Sequence, residues 1–500
     1  MNSLTISELA IATKGKLVIG NESDTINDIV IDSRKANKDN VFVAVIGENL
    51  DGHRFMQSAY ENGCKTFIKN ASSSIKLNSS DINLIEVKDT QIALGDIAKY
   101  YKEKFDIPYI GVTGSVGKTT TRDMIYATVS STFHTLKNQG NLNNHFGVPL
   151  TLFNLDDSYE CAVIEMGMSH FKEIEYLANI VNPKIGVISN IGLSHIENLG
   201  SQEGILQAKM EIATNFNESN TLVVNGDDKF LGTLKGKNLE YKLKTFGFNK
   251  DNDIYCESYV MGEEDLTFVC YIDGKKEEIF IPTVGEHNIY NAMAAILVGR
   301  ELNISLEDIK CGLRNFKATK MRLDIIKNDK MTIINDAYNA SPDSMEAALK
   351  ILGRYKNRKV AILGDMFEMG EHTEYGHRLV GKSAVDNTDV LIAIGKDSKF
   401  ICEEAKDLGF NENNIHHFNT KEEAIEKIDE LVKKDDVVLV KASRGMELEK
   451  IVEYLNNHKR NSQQGRGDIY YVRNNRTYLY IVDFVSNSSY IRSNIYTYVN

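Results

Sequence analysis

Short apolar runs alternate with amphipathic stretches along most of the chain, and the spacing changes twice. In the first hundred residues "NDIVIDS" and "NVFVAVIG" read as strands and "HRFMQSAYENG" as a helix ending at Gly63. From "DIPYIGVTG" to about residue 316, the apolar strands "ECAVIEMG", "PKIGVISNIG" and "NTLVVNGDD" are separated by helical stretches, the order expected of a parallel sheet covered on both faces. A third unit begins near Thr319 with the strands "MTIINDAYN", "KVAILGD", "DVLIAIG" and "DVVLVKAS". Its first helix has a legible start, since Ser341 can cap free amides and Pro342 occupies the first turn, where no N–H is missed.

The fold class expected is therefore α/β with three domains. A small α/β domain spans 1–105, a central domain with a mostly parallel, P-loop-type sheet spans 106–316, and a doubly wound, Rossmann-like domain spans 317–459. Five hundred residues are too many for one core, which agrees with three. From 460 to 500 the chain turns rich in Asn, Ser and Tyr and poor in Asp and Glu. An added strand pair, a partner-binding tail, a disordered segment and an artefact of the reading frame are four readings of that tail, and disorder or artefact is favoured.

A net charge of −12 argues against a general nucleic-acid or anionic-membrane binder, so any polyanionic ligand needs a local basic pocket. Six cysteines without a C-x-x-C pair argue against a zinc site and a disulfide framework, and point to buried or inert thiols in a reducing cytosol. No apolar run is long enough for a membrane span, and the N-terminus lacks the pattern of a secretory leader. A cytoplasmic protein is expected.

The stretch "GVTGSVGKTT" carries the chemistry. A strand ending in a glycine turn that opens a helix aims backbone N–H groups and the positive helix end at one spot, which suits a phosphate. Gly114, Ser115 and Gly117 would form the cradle, Lys118 would neutralise outer phosphates, Thr119 would offer its hydroxyl to magnesium, and Thr120 would close the set. The usual G-x-x-x-x-G-K-[ST] spacing asks for glycine at 112, where this chain has Val112. Glu165 ends the strand "CAVIEMG" beside the loop and is a candidate magnesium ligand; a strand-end glutamate in isolation is more often a surface residue. His195 follows the next strand, either as an ordinary hydrogen-bonding histidine or as a base.

With "VTGSVGKTTT", "KNQGNLNNHFGVPLTL", "IEMGMSHFKEI", "NIGLSHIENLGS", "AKMEI", "GEHNIYNAMAA", "INDAYNASPDSM", "ILGDMFEMGE" and "VLVKASRGMELEKIV" in this order, the chain resembles the Mur ligases over roughly residues 1 to 457. Within that family it is most similar to the branch that joins D-alanyl-D-alanine to UDP-N-acetylmuramoyl-tripeptide, because the Asp-Asn-Pro-Arg motif of the branch adding the third amino acid is missing from its third domain.

The resemblance implies ATP, two magnesium ions and an acyl phosphate on the UDP-linked peptide, which the incoming amine attacks. Lys118, Lys209, His195 and Arg322 would be catalytic. Thr119, Glu165, His195 and Lys209 would hold metal, with Lys209 in "AKMEI" carbamylated so that a cation becomes an anion with two oxygens. Asn288 and Asn291, behind His287 at a helix start, would lie on the adenine side. Arg322, Asp336, Tyr338 and Asn339 would contact the nucleotide from the third domain, although Lys320-Met321-Arg322 stands where the family usually has Gly-Arg. Asn143, Lys441, Ser443 and Arg444 would meet the peptide substrates, and Ser33 and Arg34 the UDP-sugar end. A monomer is expected. Two alternatives remain open from sequence: a ligase of this type with another amino-acid substrate, and a P-loop regulatory ATPase that makes no bond.

Overall fold

The computed structural model describes residues 1–457 apart from 48, 49, 76 and 78, and beyond them the backbone of three strands, Arg466–Arg473, Arg476–Asp483 and Tyr496–Tyr498. Those three strands pair as an antiparallel sheet; the rest of the tail from 460, on which the expectation of disorder or artefact fell, lies outside the described residues.

The protein is a three-domain α/β molecule. The N-terminal sheet has five strands, with Asp28–Val30, Asn40–Val43, Thr66–Asn70 and Asn83–Val87 parallel and Lys16–Ile19 antiparallel at one edge. The central sheet has nine strands. Tyr109–Thr113 sits between Cys161–Glu165 and Ile185–Ile188, all parallel and buried along their whole length, which is why each reads as an unbroken apolar run. Helices Lys118–Val129, His287–Glu301 and Leu306–Arg314 pack on one face. The other face shares a continuous core with the N-terminal helix Thr90–Lys102, through Leu94, Ile97, Leu177 and Val181.

The expectation of strands separated by helices as far as 316 fails between 254 and 281. Ile254–Met261 joins the parallel part, but Leu266–Ile272 and Lys275–Ile281 continue the sheet as an antiparallel ribbon. Leu266–Ile272 alternates buried and half-buried positions, and Asp273 and Gly274 close the last hairpin with φ of 50° and 75°. This is the two-residue turn that Asp-Gly favours, because its twist matches that of the flanking strands.

The third domain orders its strands as Asp324–Lys327, Thr332–Asn335, Val437–Lys441, Lys359–Gly364, Val390–Ile394 and Ile415–Phe418, parallel except for the first. Its helix Pro342–Gly353 starts at Ser341, whose amide donates to the Ser344 hydroxyl at 2.9 Å. All six cysteines are free thiols; Cys64, Cys161, Cys256 and Cys270 are buried, Cys402 is half-buried and Cys311 is exposed. No described helix is long and apolar enough to cross a membrane.

Candidate active site

A cleft of about 1180 Å³ opens where the carboxyl edge of the central sheet faces the third domain. Ser115 to Thr120 form its floor, and among the described residues of the N-terminal domain only Gln91 reaches it. Gly114 has φ 153°, and a Cβ there would lie 1.9 Å from Ser189 Oγ, so no other residue fits the turn. Gly117, φ 79°, caps the helix Lys118–Val129, whose first amides have no partner within the helix. Asn190 clamps the loop apex: its Oδ1 accepts from Val116 N and its Nδ2 donates to Val116 O, both at 2.9 Å. Lys118 Nζ folds back onto Gly114 O at 2.8 Å and Ser115 O at 3.3 Å, and burial lowers its pKa against the pull of Glu165. The Ser115 hydroxyl is buried without a hydrogen-bond partner. A glycine cradle, a lysine satisfied only by carbonyls and an orphaned hydroxyl fit a bound polyphosphate.

Thr119 and Glu165 bring hard oxygens to the same floor, the set magnesium prefers. The Glu165 side chain is 2% exposed; Oε1 accepts from Asn143 Nδ2 at 2.8 Å and Oε2 lies 3.2 Å from an Arg122 guanidinium nitrogen. His195 caps the short helix Ile196–Leu199 with φ 64°, and its Nδ1 lies 2.7 Å from Glu368 Oε2 of the third domain, without hydrogen-bond alignment. Lys209, near the end of the helix Gln202–Met210, is 1% exposed and is not among the residues that line the cleft. Burial, reinforced by the Lys118 charge, pushes its pKa well below the ordinary lysine value, so a neutral amine is accessible. Among the described residues no three His, Cys, Asp or Glu side chains form a ready-made metal cluster.

From the third domain, Arg322, Asp336, Tyr338, Asn339 and Lys441 line the cleft. The Arg322 guanidinium stacks 4.1 Å from the centre of the Tyr338 ring, and its Nε is buried without a partner. Lys441 Nζ binds Asp336 Oδ2 at 2.5 Å and Asn339 O at 2.9 Å, so it is committed to its own domain. Ser443 is buried, and its hydroxyl accepts from Phe367 N; Arg444 is half exposed and paired with Glu449. Asn288 donates to Val284 O, and Asn291 receives the Thr121 hydroxyl and donates to Asn288, which fixes both behind the loop. Burial lowers the pKa of His287 beside them.

Ser33 and Arg34 do not join this cleft. Ser33 is buried in the N-terminal domain, and the Arg34 side chain is 86% exposed and paired with Asp32. Asn190, Arg122 and Glu368 were not anticipated from sequence. Asn190 had a usable signal, as a polar residue at the exit of the strand beside the loop.

Family models match in three segments: Mur ligase family, catalytic domain, at residues 25–102; Mur ligase middle domain at 112–299; and Mur ligase, glutamate ligase domain, at 321–444. The chain belongs to the Mur ligase family. A Bacillus subtilis (strain 168) member, UDP-N-acetylmuramoyl-tripeptide--D-alanyl-D-alanine ligase, is 39% identical over 456 residues, covering 90% of this chain and 98% of that one. The protein of the same name from Escherichia coli (strain K12) is 31% identical over 460 residues, 91% of this chain and 99% of that one. Among solved Mur ligases, MurF from Acinetobacter baumannii superposes with a TM-score of 0.84 at 29% identity, over 91% of this chain and 100% of that one. MurF from Thermotoga maritima in complex with ADP does so at 0.76 and 26%, over 85% and 96%.

Proposed function

We propose that this Mur ligase joins D-alanyl-D-alanine to UDP-N-acetylmuramoyl-tripeptide at the cost of one ATP, giving the pentapeptide precursor of peptidoglycan. The supporting observation is the cleft itself, in which the glycine loop and Glu165 of one domain face Arg322 and Tyr338 of another. The relatives' names and near full-length coverage support the substrates. In this reading 1–105 binds the UDP-sugar through Ser33 and Arg34, 106–316 binds ATP, and 317–459 receives the dipeptide near Ser443 and Arg444. In the same reading the protein acts as a cytoplasmic monomer.

A carboxylate is a poor electrophile, and two anions must be brought together before it reacts. The peptide carboxylate attacks the γ-phosphorus and ADP leaves; the dipeptide amine then attacks the acyl carbon, and phosphate and a proton depart. Lys118 leaves its two carbonyl partners for the β- and γ-phosphates, and the unpartnered Arg322 Nε and stacked guanidinium offer charge from the opposite wall. Domain closure keeps water from the acyl phosphate. Magnesium, when bound, would supply positive charge at the phosphates; Thr119 and Glu165 would hold one ion, and Glu165, His195 and Lys209, once carbamylated, would hold the other. The depressed pKa of Lys209 favours that modification, because only the neutral amine adds carbon dioxide, releasing one proton.

The test is product mass and phosphate release with ATP, magnesium and UDP-N-acetylmuramoyl-tripeptide, with and without D-alanyl-D-alanine. A product heavier by one dipeptide less water, and phosphate release that requires every substrate, are expected. Phosphate release indifferent to acceptor and dipeptide refutes the ligase and points to a regulatory ATPase. A panel of other amino acids and dipeptides tests the substrate assignment separately.

A further inference from the structure

Between the second and third domains the chain is pinned at two points. The Thr319 hydroxyl donates to Asp123 Oδ2 at 2.5 Å on the loop helix, and Leu323 N donates to Asp336 Oδ1 at 3.2 Å in the third domain. Between these anchors Met321 and Leu323 take φ of 61° and 52°, left-handed values that non-glycine residues rarely adopt. The domain joint therefore begins at a side chain hydrogen-bonded directly to the helix that opens the phosphate loop.

Asp123 does more than hold the joint. Its other oxygen, Oδ1, accepts from Arg122 Nε at 3.0 Å, from Arg122 Nη2 at 2.7 Å and from Lys137 Nζ at 2.8 Å. Arg122 then extends Nη1 to Glu165 Oε2 at 3.2 Å. The side chains of Arg122, Asp123 and Glu165 are 2%, 1% and 2% exposed. Three charges in such burial, with Lys137 at their edge, are a poor device for stability alone, since well-packed apolar residues would serve as well or better. The guanidinium is planar and rigid, so a turn of the Asp123 carboxylate moves the Arg122 fork and with it the contact to Glu165.

We infer that Thr319, Asp123 and Arg122 form a relay that transmits the setting of the domain joint to the Glu165 carboxylate, with Arg122 as a positioning residue. The relay rests on the proposed ligase only in taking Glu165 as a carboxylate that meets magnesium on the nucleotide. Closing the third domain then also aims Glu165, so that nucleotide is held productively only when the domains are set.

The test uses the full chain, a fluorescent ATP analogue and a magnesium titration of its binding, with Thr319→Val, Thr319→Ser, Arg122→Lys and the Thr319→Val/Arg122→Lys double variant. Thr319→Val removes the hydroxyl while keeping the shape, and raises half-saturating magnesium about three- to tenfold, the range of coupling carried through a packed network. Thr319→Ser retains the wild-type value. In the Arg122→Lys background, Thr319→Val adds nothing further, because residues of one network are not additive.

A Thr319→Val protein with unchanged half-saturation overturns the relay. So does full additivity in the double variant, or a loss of nucleotide affinity that is equal with and without magnesium. If Arg122→Lys fails to fold, the Thr319→Val and Thr319→Ser pair decides alone. Failure of the ligase reading is visible separately, as absence of amide product from the wild type while the magnesium titration still separates the variants.

Discussion

Asn190→Ala isolates the clamp on the phosphate loop. The side chain makes two hydrogen bonds to the backbone of one residue, at 2.9 Å to Val116 N and 2.9 Å to Val116 O, on the two peptide units that flank it. Each such bond contributes about 1 kcal/mol net, so an unclamped loop must find about 2 kcal/mol on ordering around a nucleotide. That corresponds to roughly 30-fold weaker binding, and water replacing the amide at this half-buried position brings the expectation to about 10- to 30-fold. Ser189→Ala is the internal scale, since it removes the single 2.7 Å bond from Ser189 Oγ to the same carbonyl and should weaken binding about fivefold. Calorimetric titration with ATP and magnesium measures both, and thermal unfolding should move little, because the loop lies outside the sheet core. Affinity within twofold of wild type for Asn190→Ala refutes the clamp. A large fall in melting temperature would show instead that Asn190 supports the fold rather than the loop.

Met321→Val forces a β-branched residue into φ 61° and should destabilise the protein by about 1–2 kcal/mol, whereas Met321→Gly should leave the melting temperature level or raise it. Glu8 gives a pH signature: burial alone would raise its pKa, but hydrogen bonds from Lys104 and Thr5 and the lysine charge lower it from 4.5 to about 2. A depressed carboxylate stabilises fully above its unfolded pKa and loses that contribution as pH falls through the folded one, so Glu8→Gln should flatten the fall in melting temperature between pH 4.5 and 2.

The legible part of this molecule is the part governed by local rules. Tyr109–Thr113 and Cys161–Glu165 announce themselves because strands buried on both faces carry no polar alternation, and the loop between strand and helix is set by two glycines whose φ values other residues avoid. The Asp-Gly hairpin at 273–274 is equally local, with a period-two flank in "LTFVCYI", yet the reading of a continuing parallel sheet passes over it. Arg122 belongs to another class. In "KTTTRDM" it reads as one polar residue on a helix, and nothing nearby in sequence says that it is buried against a strand end and tied through its neighbour to the domain joint. The same holds for Glu368 opposite His195, a contact made only by the meeting of two domains. Met321 shows how the two classes meet: the departure from Gly-Arg was visible in the chain, but whether the turn had changed or a methionine had been forced into a glycine-like conformation depended on anchors at Thr319 and Leu323. Residues of the glycine loop are thus found by motif, while contacts such as Thr319 to Asp123 and His195 to Glu368 are found only where domains touch.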